Sequence, residues 1–144
     1  MKAIRIGVFE TNSSSTHSFV TGFEGYEIEP RIEPDWGGEF GWQFDFWHCS
    51  GEKLAYICRC LLTYEDEQTD EGIYNRLKPL QDRLKNYGVE FDIPTAEELE
   101  KSWGYVDHGN EYLYDVLDII ETDEGLLTFL FNNNNGIQGG NDNC

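Results

Sequence analysis

Hydrophobic and polar positions alternate with a period of two in the first third of the chain and recur every three or four residues in the middle. The opening apolar stretch, residues 3–9, predicts a strand. Tyr26, Ile28, Pro30 and Ile32 alternate with Glu27, Glu29, Arg31 and Glu33, which predicts a second strand with one wet face. Pro30 suits an edge position because it cannot donate to a ladder. Phe40, Trp42, Phe44 and Phe46 alternate in the same way. Glu33, Pro34, Asp35, Trp36, Gly37 and Gly38 supply turn chemistry between the two runs, so a hairpin is expected there.

From Ser50 onward the period lengthens. A helix over about 51–64 is predicted, with Ser50 as its N-cap and Leu54, Ile57, Cys58, Leu61 and Leu62 as its apolar stripe. A second starts at Thr69 or Asp70 and carries Ile73, Leu77, Leu80 and Leu84 as far as Tyr87 and Gly88. Pro79 falls inside it and predicts a kink or break. Residues 89–93 read as a short strand. Thr95 and Glu98 form the ends of a capping box that opens a brief helix. Residues 105–107 read as extended. Residues 111–121 form a third substantial helix with Leu113, Val116, Leu117 and Ile120 on one face. The apolar run 126–131 is expected to be a buried strand, followed by another extended piece near Ile137 and a mobile tail from about 139. These elements specify one α+β domain spanning residues 1–144: a mostly antiparallel sheet with three main helices packed on one face.

Composition changes the picture in one respect. The chain of 144 residues has 28 Asp and Glu against 10 Lys and Arg, a formal charge of −18. Acidic disordered chains lack aromatics, whereas this one has nine Phe, eight Tyr and four Trp, so it is expected to fold. The charge then sits on an ordered surface, where it either only keeps the protein soluble or selects a basic partner. Nucleic acid and anionic membrane are both repelled. The start of the sequence has no long apolar stretch of the signal-peptide kind, and the four cysteines follow no disulfide framework, which favours a cytoplasmic protein. Residues 24–52 hold eight carboxylates, and residues 86–144 hold thirteen with a single cation, Lys101. Residues 53–85 come close to balance. On a strand, Glu27, Glu29 and Glu33 would project at intervals of roughly 6–7 Å, near the phosphate spacing of one nucleic-acid strand. The partner-binding candidates are therefore Glu27, Glu29, Glu33, Asp35, Trp36 and Glu39, with Glu97, Glu98, Glu100, Asp115 and Asp118 as a second patch and Trp36 and Trp42 as aromatic anchors.

Two polar clusters offer a different chemistry. In residues 10–18, small hydroxyls follow a strand and lead to His17. Such a loop can cradle a phosphate through backbone N–H groups, or supply Ser15 or Thr16 as nucleophile with His17 as base. A turn whose hydroxyls cap local backbone explains it equally simply. Asp107 and His108 pair a carboxylate with an imidazole, although neighbours on a strand point to opposite faces. His48, Cys49, Cys58 and Cys60 lack zinc-ligand spacing, and neither a metal nor a cofactor is expected.

The run Gly7-Val8-Phe9-Glu10-Thr11-Asn12-Ser13-Ser14-Ser15-Thr16-His17-Ser18 resembles the start of a family of small uncharacterised proteins from bacteriophages and their bacterial hosts. Residues 105–108 and 140–143 are similar to two later, shorter signatures of that family. The resemblance implies a phage or prophage origin and carries no established activity. Should the three pieces converge, residues 13–17, Asp107, His108 and residues 141–143 form one polar pocket. The expectation is a phage accessory protein that binds and inhibits a host nucleic-acid-binding protein, of the anti-CRISPR or anti-restriction type, by nucleic-acid mimicry. The alternative is an enzyme or a binder of nucleotide or phosphate ligands built on the serine-rich loop and the histidines.

Overall fold

The computed structural model describes residues 3–7, 16–22, 26–40, 46–102, 104–106, 109–132 and 135–140. Five α-helices dominate them: α1 (Ser50–Leu61), α2 (Asp70–Lys85), α3 (Ala96–Ser102), α4 (Gly109–Ile119) and α5 (Asp123–Phe131). This corrects the expected fold class. The helices and the segments between them supply nearly all of the buried core, and the strands that form are two to seven residues long.

Helix α1 is the axis. Every residue from Lys53 to Cys60 is buried, so it is surrounded on all sides and not packed along a single stripe. It touches α2, α4 and α5. A helix enclosed by other helices cannot be one of three laid over a sheet, which is the physical reason the layered α+β reading fails. Cys49, not Ser50, is the N-cap of α1, and its backbone N–H donates to Glu52 Oε1 at 3.3 Å.

Helix α2 begins where Thr69 Oγ1 accepts the N–H of Gly72 at 2.9 Å, with Asp70 and Glu71 in its positive first turn. It buries Ile73, Leu77, Leu80 and Leu84. No break occurs at Pro79, because that residue faces outward on a helix held by four apolar anchors. Past α2, Gly88 takes φ +78°, a conformation that glycine adopts without strain. Residues 126–131 are not a strand but the body of α5. Thr122 Oγ1 caps this helix through the N–H of Gly125 at 2.9 Å, and Asp123 and Glu124 fill its first turn. A short apolar run is ambiguous in period, and here the cap decides. On α4 the buried residues are Tyr112, Val116 and Ile119, while Leu117 is exposed, so the core face is rotated from the predicted one.

The strands are minor. β1 (Ala3–Gly7), β2 (Thr16–Gly22), β6 (Gly136–Gly140) and β4 (Phe46–Trp47) form a small antiparallel sheet in the order β1-β2-β6-β4. β3 (Glu39–Phe40) pairs in parallel with β5 (Tyr105–Val106). Among the described residues the expected hairpin does not form. Residues 26–32 run extended without joining a strand, touching residue 90 through one isolated bridge. Residues 89–93 contribute no more than that bridge. Residues 41–45, with Trp42, lie outside the described residues.

Candidate functional site: an acidic corner around a cleft

Between the end of α1 and the start of α2, residues 65–71 place Glu65, Asp66, Glu67, Asp70 and Glu71 in seven positions, with a single 3-10 turn over Asp66–Gln68. The turn packs against both α2 and α3. Asp66 ties its start: Oδ2 accepts the N–H of Thr63 at 2.9 Å, and Thr63 Oγ1 accepts the N–H of Asp66 at 3.1 Å. Asp70 Oδ1 accepts the N–H of Ala96 at 2.7 Å, drawing the first turn of α3 up beside that of α2. Thr95 Oγ1 caps α3 through the N–H of Glu98 at 3.1 Å. Glu97, Glu98 and Glu100 therefore join the five earlier carboxylates at one corner.

Among the described residues three cations answer these eight carboxylates. Arg59 meets Glu67 at 3.5 Å, Arg76 meets Asp66 at 3.1 Å and Lys101 meets Glu97 at 2.6 Å. Glu65, Glu71, Glu98 and Glu100 have no ion pair among the described residues.

A cleft of about 530 Å³ opens in this corner, with Tyr64, Glu67, Gln68, Glu97 and Glu100 among its walls and Arg59 at its base. An adjoining hollow of about 210 Å³ shares Arg59, Tyr64 and Glu67 and reaches Tyr105 and Val106. Tyr64 is 79% exposed. Arg59 has little freedom to bind anything new: its guanidinium donates to the Trp36 carbonyl at 2.7 Å and to Ser102 Oγ at 2.9 Å. Burial lowers its pKa, with Glu67 opposing the shift. Burial raises the pKa of Glu67 while the Arg59 charge pulls it back. What the cleft presents outward is thus carboxylate and tyrosine.

The other predicted residues are placed less coherently. Glu27, Glu29, Glu33 and Asp35 are exposed, but so are Ile28, Pro30 and Arg31, so no single acidic strand face exists. Glu33 is held by Arg31 at 2.6 Å, and Arg31 also bonds Asp92. Ser50 Oγ donates to Glu29 at 3.5 Å. Trp36 is half-buried against the core, which weakens its candidacy as an exposed anchor. Glu39 lies in β3, its backbone opposite Tyr105. Asp115 and Asp118 lie together on α4, where burial and then the Asp118 charge raise the pKa of Asp115.

Thr16 and His17 are not loop residues. Both belong to β2, opposite Gly140 and Gly139 of β6. Residues 13–15 (Ser15 included), Asp107, His108 and residues 141–143 lie outside the described residues. Cys58 and Cys60 are buried on α1, and burial raises both thiol pKa values. Among the described residues no group of three or more His, Cys, Asp or Glu is arranged to hold a metal ion, and no helix is long and apolar enough to cross a membrane.

The carboxylates of 65–71 are the site residues that sequence reasoning missed. Their signal, five acids in seven positions, was cancelled by averaging over the six basic residues of 53–85. No protein-family model matches this chain, and no curated protein or solved structure matches it either.

Proposed function

We propose that this chain is a small acidic phage accessory protein that binds a nucleic-acid-binding protein of the host, in the host cytoplasm, and inhibits it. The observation that carries the reading is the acidic corner: eight carboxylates on the 65–71 segment and α3 facing three cations, each already engaged in an ion pair. Carboxylates gathered on a rigid surface offer a basic groove the charge it uses to hold phosphates, and they speed encounter with that groove. Tyr64, exposed beside Glu67 and Glu100, has the character of an interface anchor. The resemblance of residues 7–18 to phage proteins supports the origin, and an inhibitor of the anti-CRISPR or anti-restriction type is the member of that class that needs no active site.

The test is capture from host lysate at low salt with elution by a salt gradient, followed by competition. The eluted protein should bind nucleic acid, and adding the acidic chain should displace that nucleic acid. A captured protein that keeps its nucleic acid bound in the presence of excess chain would refute the reading.

A further inference from the structure

The two hollows of the acidic corner form one recess with two kinds of wall. They share Arg59, Tyr64, Glu67 and Gly104, so the space of about 210 Å³ adjoins that of about 530 Å³ across those residues. Leu62, Tyr105 and Val106 line the smaller part, and Leu99 and Glu100 the larger. Ligand sites span roughly 300–1,000 Å³ and combine apolar walls with a few polar groups, as this recess does.

The lining selects a cation carried on a flat group. Tyr64 and Tyr105 are 79% and 42% exposed, so both rings keep open surface where they border the recess. The turn that carries Tyr64 is closed by bonds between Thr63 and Asp66, and Gln68 Nε2 donates to the Tyr64 carbonyl at 3.3 Å, yet the ring is left outside the core. Among the described residues Arg59 is the one cation in the lining. Its side chain is only 6% exposed and its charge is answered by Glu67 at 3.5 Å. Glu97 is held by Lys101 in a pair exposed on both sides, which is weak in water. Glu100 has no ion pair among the described residues. Such walls repel phosphate. A guanidinium suits them: planar and weakly hydrated, it stacks on an aromatic ring while its edge bonds a carboxylate, whereas the ammonium of lysine is a strongly hydrated point charge.

We propose that the recess receives an arginine side chain of the partner, its methylenes along Tyr105 and Val106 and its guanidinium stacked on Tyr64 and bonded to Glu100. The inference rests on the reading of this corner as a partner-binding surface, and it adds what the partner presents: an exposed arginine on a basic segment.

The experiment titrates the full chain with a blocked tetrapeptide carrying two central arginines, beside its lysine and citrulline counterparts, and follows the backbone amides by NMR. The amides of Tyr64, Glu67, Glu100 and Tyr105 should shift, and the arginine peptide should bind roughly fivefold tighter than the lysine peptide, with citrulline weaker still. Tyr64→Leu and Glu100→Gln, both at exposed positions, should each weaken the arginine peptide by roughly fivefold. Tyr114→Leu should not, because Tyr114 is equally exposed but lines neither hollow. No binding at millimolar peptide, equal binding of the arginine peptide and either counterpart, or shifts centred outside the recess overturns the proposal. Failure of the wider reading looks different: host lysate then yields no nucleic-acid-binding protein, while the arginine peptide still occupies the recess. Should Tyr64→Leu and Glu100→Gln displace nucleic acid from the captured protein as well as the wild type does, the wider reading stands and the arginine site falls.

Discussion

Asp70, the first residue of α2, accepts the backbone N–H of Ala96, the first residue of α3, at 2.7 Å. Two helix N-termini are thereby held side by side, each with acids in its first turn. Carboxylates are stabilised by helix N-terminal dipoles, so this pairing tolerates a density of negative charge that a strand face could not. Replacing Asp70 with Ala removes the link. The expected loss is about 1 kcal/mol of stability, typical of a helix-capping acceptor. Amide exchange should accelerate across α3 and remain unchanged in α5, which hydrogen-exchange mass spectrometry resolves.

Arg59 supports a prediction of opposite scale. It gathers the Trp36 carbonyl, Ser102 Oγ and Glu67 around the end of α1. Arg59→Met fills the volume but leaves three acceptors without their donor, and a loss of about 3 kcal/mol is expected in urea unfolding. Glu67→Gln should cost far less, since Glu67 reaches solvent and its exposed side can be rehydrated.

How much of this could be read in the sequence follows from which signals are local. The start and the buried face of α2 were legible, because caps and three-to-four spacing act within one turn of chain, whereas the cap of α1 is Cys49 and not the predicted Ser50. α5 was misread because Leu126, Leu127, Phe129, Leu130 and Phe131 are buried on all sides, and a run with no polar face has no period to detect. Thr122 was the discriminating residue. The stretch from Tyr26 to Ile32 alternates correctly yet pairs with no strand among the described residues: its neighbour is residue 90, and the β3 strand that follows the turn pairs with β5 instead. Alternation fixes which side chains share a face, not whether another strand is there to receive them. The corner escaped notice for the same reason, since α3 is brought to 65–71 by a hydrogen bond across 26 residues.

Gly104 lines the cleft, and a Cβ there would overlap the carbonyl of Trp36 and come within 3.0 Å of an Arg59 nitrogen. The obstruction is backbone, which cannot rotate away. Gly104→Ala is expected to cost about 3 kcal/mol and to displace the Trp36 turn. Thermal unfolding with the fluorescence of Trp36 isolated by replacing the other tryptophans would read both effects. Gly88→Ala meets no atom and should be milder, limited to its positive φ.

Acid should unfold the protein through specific carboxylates. Asp123 accepts from the Tyr87 hydroxyl at 2.7 Å and from Arg83 at 2.9 Å, and these contacts hold its pKa below the usual value. A depressed folded pKa gives stability that is present above the unfolded value, near 4, and is lost as pH falls through the folded one. Asp66 behaves alike, lowered chiefly by the Thr63 backbone N–H. The urea midpoint of the wild type should therefore fall between pH 4 and 2, and that of Asp123→Asn should fall less over the same interval.

Partner binding separates the acidic corner from the rest of the surface. Exposed, unpaired carboxylates act mainly on encounter, so the quadruple change Glu65→Gln, Glu71→Gln, Glu98→Gln and Glu100→Gln should slow association with the captured host protein by tenfold or more at low salt and flatten its salt dependence. Glu27→Gln with Glu29→Gln changes the net charge by half as much and should have a clearly smaller effect. Tyr64 contacts at close range. Its replacement by Ala should cost about 2 kcal/mol, expressed as faster dissociation with association unchanged. Ser15→Ala with His17→Ala should leave both rates as they are. If that pair abolished binding while the corner variants bound normally, the working surface would be the 7–18 motif and not the junction of the 65–71 segment with α3. Stopped-flow association and surface-plasmon dissociation rates on the four variants decide between them.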